Sequence, residues 1–157
     1  MRHKLNSVTA HTGLASVEFA VTLPVMLLLM LTTAEAGRAL YSYNTLTKVV
    51  RDGARYAADY ALDGVQNAVL SDETVRKAKN LVVNGTPFDE GQPLLKGFSS
   101  ESVTVEILQG NGYDTPHVRV QAVYHFVPLF GNIPNLGSEN RLNKGFDLQT
   151  SVVMRAL

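Results

Sequence analysis

From Leu14 to Ala34 the sequence runs almost unbroken through apolar and small residues. A helix over this run reaches about 30 Å, the thickness of a bilayer's hydrocarbon core. Its polar members are Ser16, the threonines Thr22, Thr32 and Thr33, and one carboxylate, Glu18. A charge in hydrocarbon is costly, so an acid here either sits outside the membrane or has a partner. The preceding stretch, MRHKLNSVTAHTG, carries Arg2, His3, Lys4 and His11 and no acid. A basic flank keeps the N-terminus cytoplasmic and sends the rest of the chain across. The first expectation is therefore a single-pass anchor.

A secretory signal peptide competes with it, because it also needs a basic start, an apolar run and a small-x-small cleavage site. Ala34, Glu35 and Ala36 supply such a site directly after the run. Against this, the run is long for a signal peptide, Glu18 stands at its beginning, and the sequence beyond Ala36 continues as helix. From Arg38, apolar or small residues recur at 39/40, 43, 46, 50, 53/54, 57 and 60/61, the spacing of one helical face. Arg38, Lys48, Arg51, Asp52, Arg55 and Asp59 fall mostly off that stripe. The pattern predicts one helix from about 15 to 62, apolar all round and then amphipathic, stopped by Asp63 and Gly64. Its length would be about 70 Å. Pro24 removes one backbone hydrogen bond and should loosen or kink the membrane part. Gly53, Ala54, Ala57, Ala58 and Ala61 make the distal part small-sided. That favours close approach of another element, or reflects helix propensity alone.

Beyond the long helix, SDETVRKAKNLVVNG opens with a capping Ser71 or Asp72, acids first and bases later, and ends at Gly85. Val75, Ala78, Leu81 and Val82 form its apolar face. A loop with Pro87, Gly91, Pro93 and Gly97 follows. SVTVEIL (102–108) alternates, with Val103, Val105 and Ile107 on one face. After the turn-rich QGNGYDTP comes HVRVQAVYHFV (117–127), in which Val118, Val120, Ala122, Tyr124 and Phe126 share a face. FDLQTSVVM alternates again through Phe146, Leu148 and Val152. Three such strands predict a small antiparallel sheet with one buried face, and the amphipathic half of the long helix is the available cover. The expected class is α+β.

Composition narrows the function classes. The formal net charge is zero, so there is no basic footprint for nucleic acid. Without cysteine there is no disulfide, thiolate metal site or cysteine nucleophile. His117 and His125 are eight apart on one strand, on one face but too distant to share a metal, and read as solvated strand histidines. The acids of DGAR and DYALDG read as solvated charge on a helix. Asn84 heads a three-residue glycosylation match, NGT, a weak signal. No Ser-His-Asp spacing, phosphate loop or H-E-x-x-H motif is present. The expectation is a structural or assembly component rather than an enzyme, with no cofactor and no metal.

Gly13, four mostly apolar residues, then Glu18-Phe19 inside an apolar helix behind a short basic leader resembles a type IV prepilin processing site. With VEFA…P, EAGRAL (35–40), VRDGARYAA (50–58), VYHFVPLFG and TSVVMRA, the chain resembles the TadE-like minor pilins, or pseudopilins, of the Tad (Flp) pilus system. That resemblance implies a pilin-like fold and cleavage between Gly13 and Leu14 by a membrane prepilin peptidase. It makes Glu18 the fifth residue of the mature chain, with Phe19 beside it in the assembly segment. In pilins that carboxylate is thought to pair with the free amine of a neighbouring subunit. The partners it implies are the peptidase, TadF-like minor pilins, the major Flp pilin and inner-membrane platform proteins. This chain departs from major Flp pilins in its long C-terminal domain and in Phe19, where Tyr is common. It departs from type II secretion pseudopilins in having Leu14 after the cut.

The combined expectation divides the chain into a leader at 1–13, a transmembrane part at 14–36 and an extracytoplasmic α+β domain at 37–157. The protein would sit in the bacterial inner membrane and serve an adhesive pilus. Two other readings remain at this level: a secreted or periplasmic binding module freed after Ala36, and an uncleaved membrane-anchored scaffold.

Overall fold

The computed structural model describes residues 10–63, 67–110, 113–129 and 145–157. Most of the leader, Gly64 and residues 130–144 lie outside the described residues. The chain divides into two units, Met1–Gly37 and Arg38–Leu157. The elements run α1 (Ala10–Asp59), β1 (Leu62–Asp63), β2 (Asn67–Ala68), α2 (Asp72–Asn84), β3 (Val103–Gly110), β4 (Tyr113–Phe126) and β5 (Phe146–Arg155). The fold is α+β, with a long apolar N-terminal helix and a three-stranded antiparallel sheet in the order β3-β4-β5.

Within the second unit the core forms where the two periodicities meet. The helical face Leu46, Val49, Val50, Ala54 and Ala57, with Ala61 just beyond the helix end, is buried with the strand face Val103, Val118, Val120, Ala122, Tyr124 and Phe126. Each strand residue named on β4 alternates inward, because side chains two apart share a face. The amphipathic half of α1 is thus the cover the sheet requires. α2 completes the core with Ala78, Val82 and Val83. Its ends follow the local chemistry: Ser71 accepts from the Thr74 amide at 3.1 Å, and Gly85 takes a left-handed φ of 75° while donating to the Leu81 carbonyl.

Gly53 explains why the distal part of α1 is small-sided. A Cβ at this position would strike Cγ2 of Val82 and lie 3.3 Å from the Ala78 carbonyl oxygen. Close approach of α2, and not propensity alone, sets the residue. Two opposing effects then give Gly53→Ala a diagnostic sign. Propensity alone would stabilise by about 1 kcal/mol. Crowding against the fully buried Val82 outweighs this, and a net loss of about 1 kcal/mol is expected. Thermal unfolding in detergent should show a lower melting temperature; a rise would mean that α2 yields at no cost.

Four local features depart from the sequence reading. Helix α1 ends at Asp59 rather than near 62, because Leu62–Asp63 pairs antiparallel with Asn67–Ala68 and Val69 donates to the Ala61 carbonyl. Ser42, not Tyr43, is buried in the first turn of the amphipathic part; its hydroxyl donates to the Arg38 carbonyl at 3.0 Å, so burial leaves no hydroxyl unsatisfied. Strand β4 begins at Tyr113, ahead of Pro116. The register with β3 shifts between Leu108 and Gly110, which lets a residue without an N–H stand in the strand. Phe146 is half-exposed rather than inward, with its ring tilted against that of Phe126 at 5.2 Å between centroids.

Candidate processing and assembly site

The first unit is built from the apolar run itself. Its most apolar eighteen-residue window has a mean hydropathy of 2.2 and none of it is buried. Leu14, Val17, Phe19, Val21, Met26 and Leu29 are all exposed. Such a helix is long and apolar enough to cross a membrane. Lipid offers no hydrogen bonds, so polar groups in a span must be satisfied internally. The threonines obey this: Thr22 donates to the Glu18 carbonyl at 3.0 Å, Thr32 to that of Leu28 at 2.7 Å and Thr33 to that of Leu29 at 2.8 Å. Pro24 lies inside α1, and the helix continues through it.

Glu18 differs from these threonines. Its side chain is exposed, and among the described residues its carboxylate has no hydrogen-bond or ion-pair partner. A carboxylate cannot fold back onto a preceding carbonyl as a hydroxyl does, because it has no proton to donate. Phe19, next to it, is 60% exposed. Gly13 and Leu14 precede it in the first turns of α1, which starts at Ala10. A Cβ on Gly13 would meet nothing within 4 Å, so packing does not require glycine there. The two candidate cleavage bonds differ in their surroundings. The bond after Gly13 lies just ahead of the apolar run, whereas the bond after Ala36 lies deep inside a continuous helix.

The remaining chemistry-bearing residues gather elsewhere. His125 is exposed, and its Nδ1 donates to Asp147 Oδ1 on the facing strand at 2.7 Å. His117 is half-buried and donates from Nδ1 to the Thr115 carbonyl at 2.7 Å. An open cavity of about 280 Å³ is bordered by Phe98, Glu101, Ser102, Thr104, His125 and Asp147. No sequence spacing brings these together, since they come from the loop before β3 and from all three strands. Among the described residues no three His, Cys, Asp or Glu side chains are placed to hold a metal ion. On the surface, Lys77 bonds Glu73 at 2.6 Å one helical turn apart, which lowers the Glu73 carboxyl below its usual range and raises the Lys77 ammonium. Glu73 is exposed and Lys77 half-buried on the surface of α2.

A long apolar helix that no described residue of its own unit covers, followed in the chain by a small helix-and-sheet unit, fits a single-pass membrane protein with a folded C-terminal domain. Residues 13–55 match the family model described as TadE-like protein. No curated protein and no solved structure gives a significant match.

Proposed function

We propose that this chain is a minor pilin of a Tad pilus, a structural rather than catalytic subunit that is cut after Gly13 and assembled through Glu18. The observation that carries the reading is where the family match begins: it opens at Gly13, includes Glu18 and Phe19, and ends within the amphipathic part of α1. The exposed carboxylate, unpartnered among the described residues, supports it. Cleavage would free an amine at Leu14, and an ammonium and a carboxylate that are each costly in lipid neutralise one another across a subunit contact. The basic leader keeps the scissile bond on the cytoplasmic side, so residues from about 38 onward lie outside the cytoplasm of an inner-membrane protein. A prepilin peptidase, the major Flp pilin, TadF-like minor pilins and inner-membrane platform proteins are its partners in this reading.

N-terminal sequencing of the protein from membranes, with and without active prepilin peptidase, tests it. The expected result is a peptidase-dependent start at Leu14. A start at Gly37, or an intact Met1 with the peptidase active, would overturn the proposal in favour of a released module or an uncleaved scaffold.

A further inference from the structure

The second unit carries exposed apolar side chains of its own, two of them just after the end of the apolar run and two after β4. Leu40 and Tyr41 are 63% and 70% exposed, and Val127 and Leu129 are 54% and 73% exposed. Tyr41 stands five positions after Ala36, about 8 Å of helix rise. Arg38 ties the other pair to that level. Its Nη2 donates to the Val127 carbonyl at 2.7 Å, and its guanidinium lies 4.5 Å from the centroid of the Phe126 ring. The segment that follows β4 is therefore held beside the turn of α1 that begins at Arg38.

The charge pattern says which medium this patch faces. From Arg38 to Thr47 the one charged residue is Arg38, and charge returns at Lys48, Arg51 and Asp52. Val127, Pro128 and Leu129 carry none. Exposed Leu, Val and Tyr held at one level of the molecule are disfavoured by water. A headgroup layer accepts them, since tyrosine rings sit at that depth with the hydroxyl in water.

We propose that Leu40, Tyr41, Val127 and Leu129 form a membrane-interface patch that seats the second unit in the headgroup layer of the bilayer crossed by α1. Arg38 fixes the 127–129 segment at that depth. The inference rests on α1 spanning the membrane, and its consequence is specific. The C-terminal unit of the unassembled subunit is held at the bilayer surface by two points of the chain, α1 and the segment after β4.

The chain has no tryptophan, so single substitutions report without background. The full chain would be reconstituted in vesicles of phosphatidylethanolamine and phosphatidylglycerol containing phosphatidylcholine brominated along its acyl chains. Tyr41→Trp reports the end of the span, Leu129→Trp the proposed patch, and Phe88→Trp a remote site. Phe88 is 66% exposed and adjoins Asp89, which bonds Arg76 and Asn80 of α2. In the Tyr41→Trp and Leu129→Trp variants alike, about half of the emission should be lost, as for side chains at the boundary of headgroups and acyl chains. The Phe88→Trp variant should keep its emission. Quenching of Tyr41→Trp without quenching of Leu129→Trp would overturn the patch and leave the span standing. Blue-shifted but unquenched emission from Leu129→Trp would also overturn it, by pointing to a protein cover. An unquenched Tyr41→Trp would overturn the patch as well, because Tyr41 belongs to it and lies about 8 Å of helix rise beyond Ala36.

Discussion

Glu18→Ala is expected to leave the protein in the membrane fraction at its normal level and to abolish pili sheared from the cell surface. Insertion should not suffer, since alanine removes the acid from the start of the run and makes it more apolar. Assembly should suffer because the free amine of a neighbouring chain would then lose its counter-charge. Breaking a buried ion pair by removing one partner costs about 3–5 kcal/mol, more than a lateral helix contact in lipid can readily absorb. Glu18→Gln separates charge from shape. It retains the volume and hydrogen-bonding capacity of the side chain and loses only the ionisable group, and it is expected to fail in the same way. Immunoblots of membrane and sheared fractions provide both readouts. If the chain were released after Ala36, Glu18 would leave with the discarded segment, and neither substitution would alter what reaches the surface.

The parts of this molecule that could be read from sequence are those fixed by neighbours in the chain. Ser71 and Gly85 bound α2 through bonds to residues three and four positions away, and alternation on β4 put Val118, Val120, Ala122, Tyr124 and Phe126 inward without exception. What escaped was settled by distant contacts. The two-residue strands β1 and β2 are too short for any periodicity to register. Ser42 is buried in place of Tyr43 because the sheet, not the helix, decides which side of the first turn is covered. Pro116 read as a strand boundary, yet the register shift in β3 admits it. The candidate site divides in the same way. Gly13, Leu14, Glu18 and Phe19 lie within one short segment, so a motif could expose them. The grouping of Glu101, His125 and Asp147 around one cavity depends on sheet register, which no spacing encodes.

Phe126→Ala is expected to be the most damaging single change in the second unit. The side chain is 1% exposed and is the largest of those fully buried. Removing such a ring costs about 3–5 kcal/mol through lost transfer energy and the cavity left behind. Two further contacts go with it. The Phe146 ring loses its tilted partner at 5.2 Å, and Arg38 loses the aromatic face 4.5 Å from its guanidinium, an interaction worth about 0.5–2 kcal/mol. Against a typical domain stability of about 5–15 kcal/mol, the sum is a large share of the total. Denaturant unfolding of the full chain in detergent should show a sharply lower midpoint, while Val153→Ala, 40% exposed on β5, should shift it little. Phe126→Leu then apportions the loss. Leucine restores most of the buried apolar volume but offers no π face, so its deficit relative to the native chain measures the Arg38 and Phe146 contacts. A Leu variant as unstable as the Ala variant would mean that those ring contacts, and not the filling of the core, hold this end of the sheet against α1.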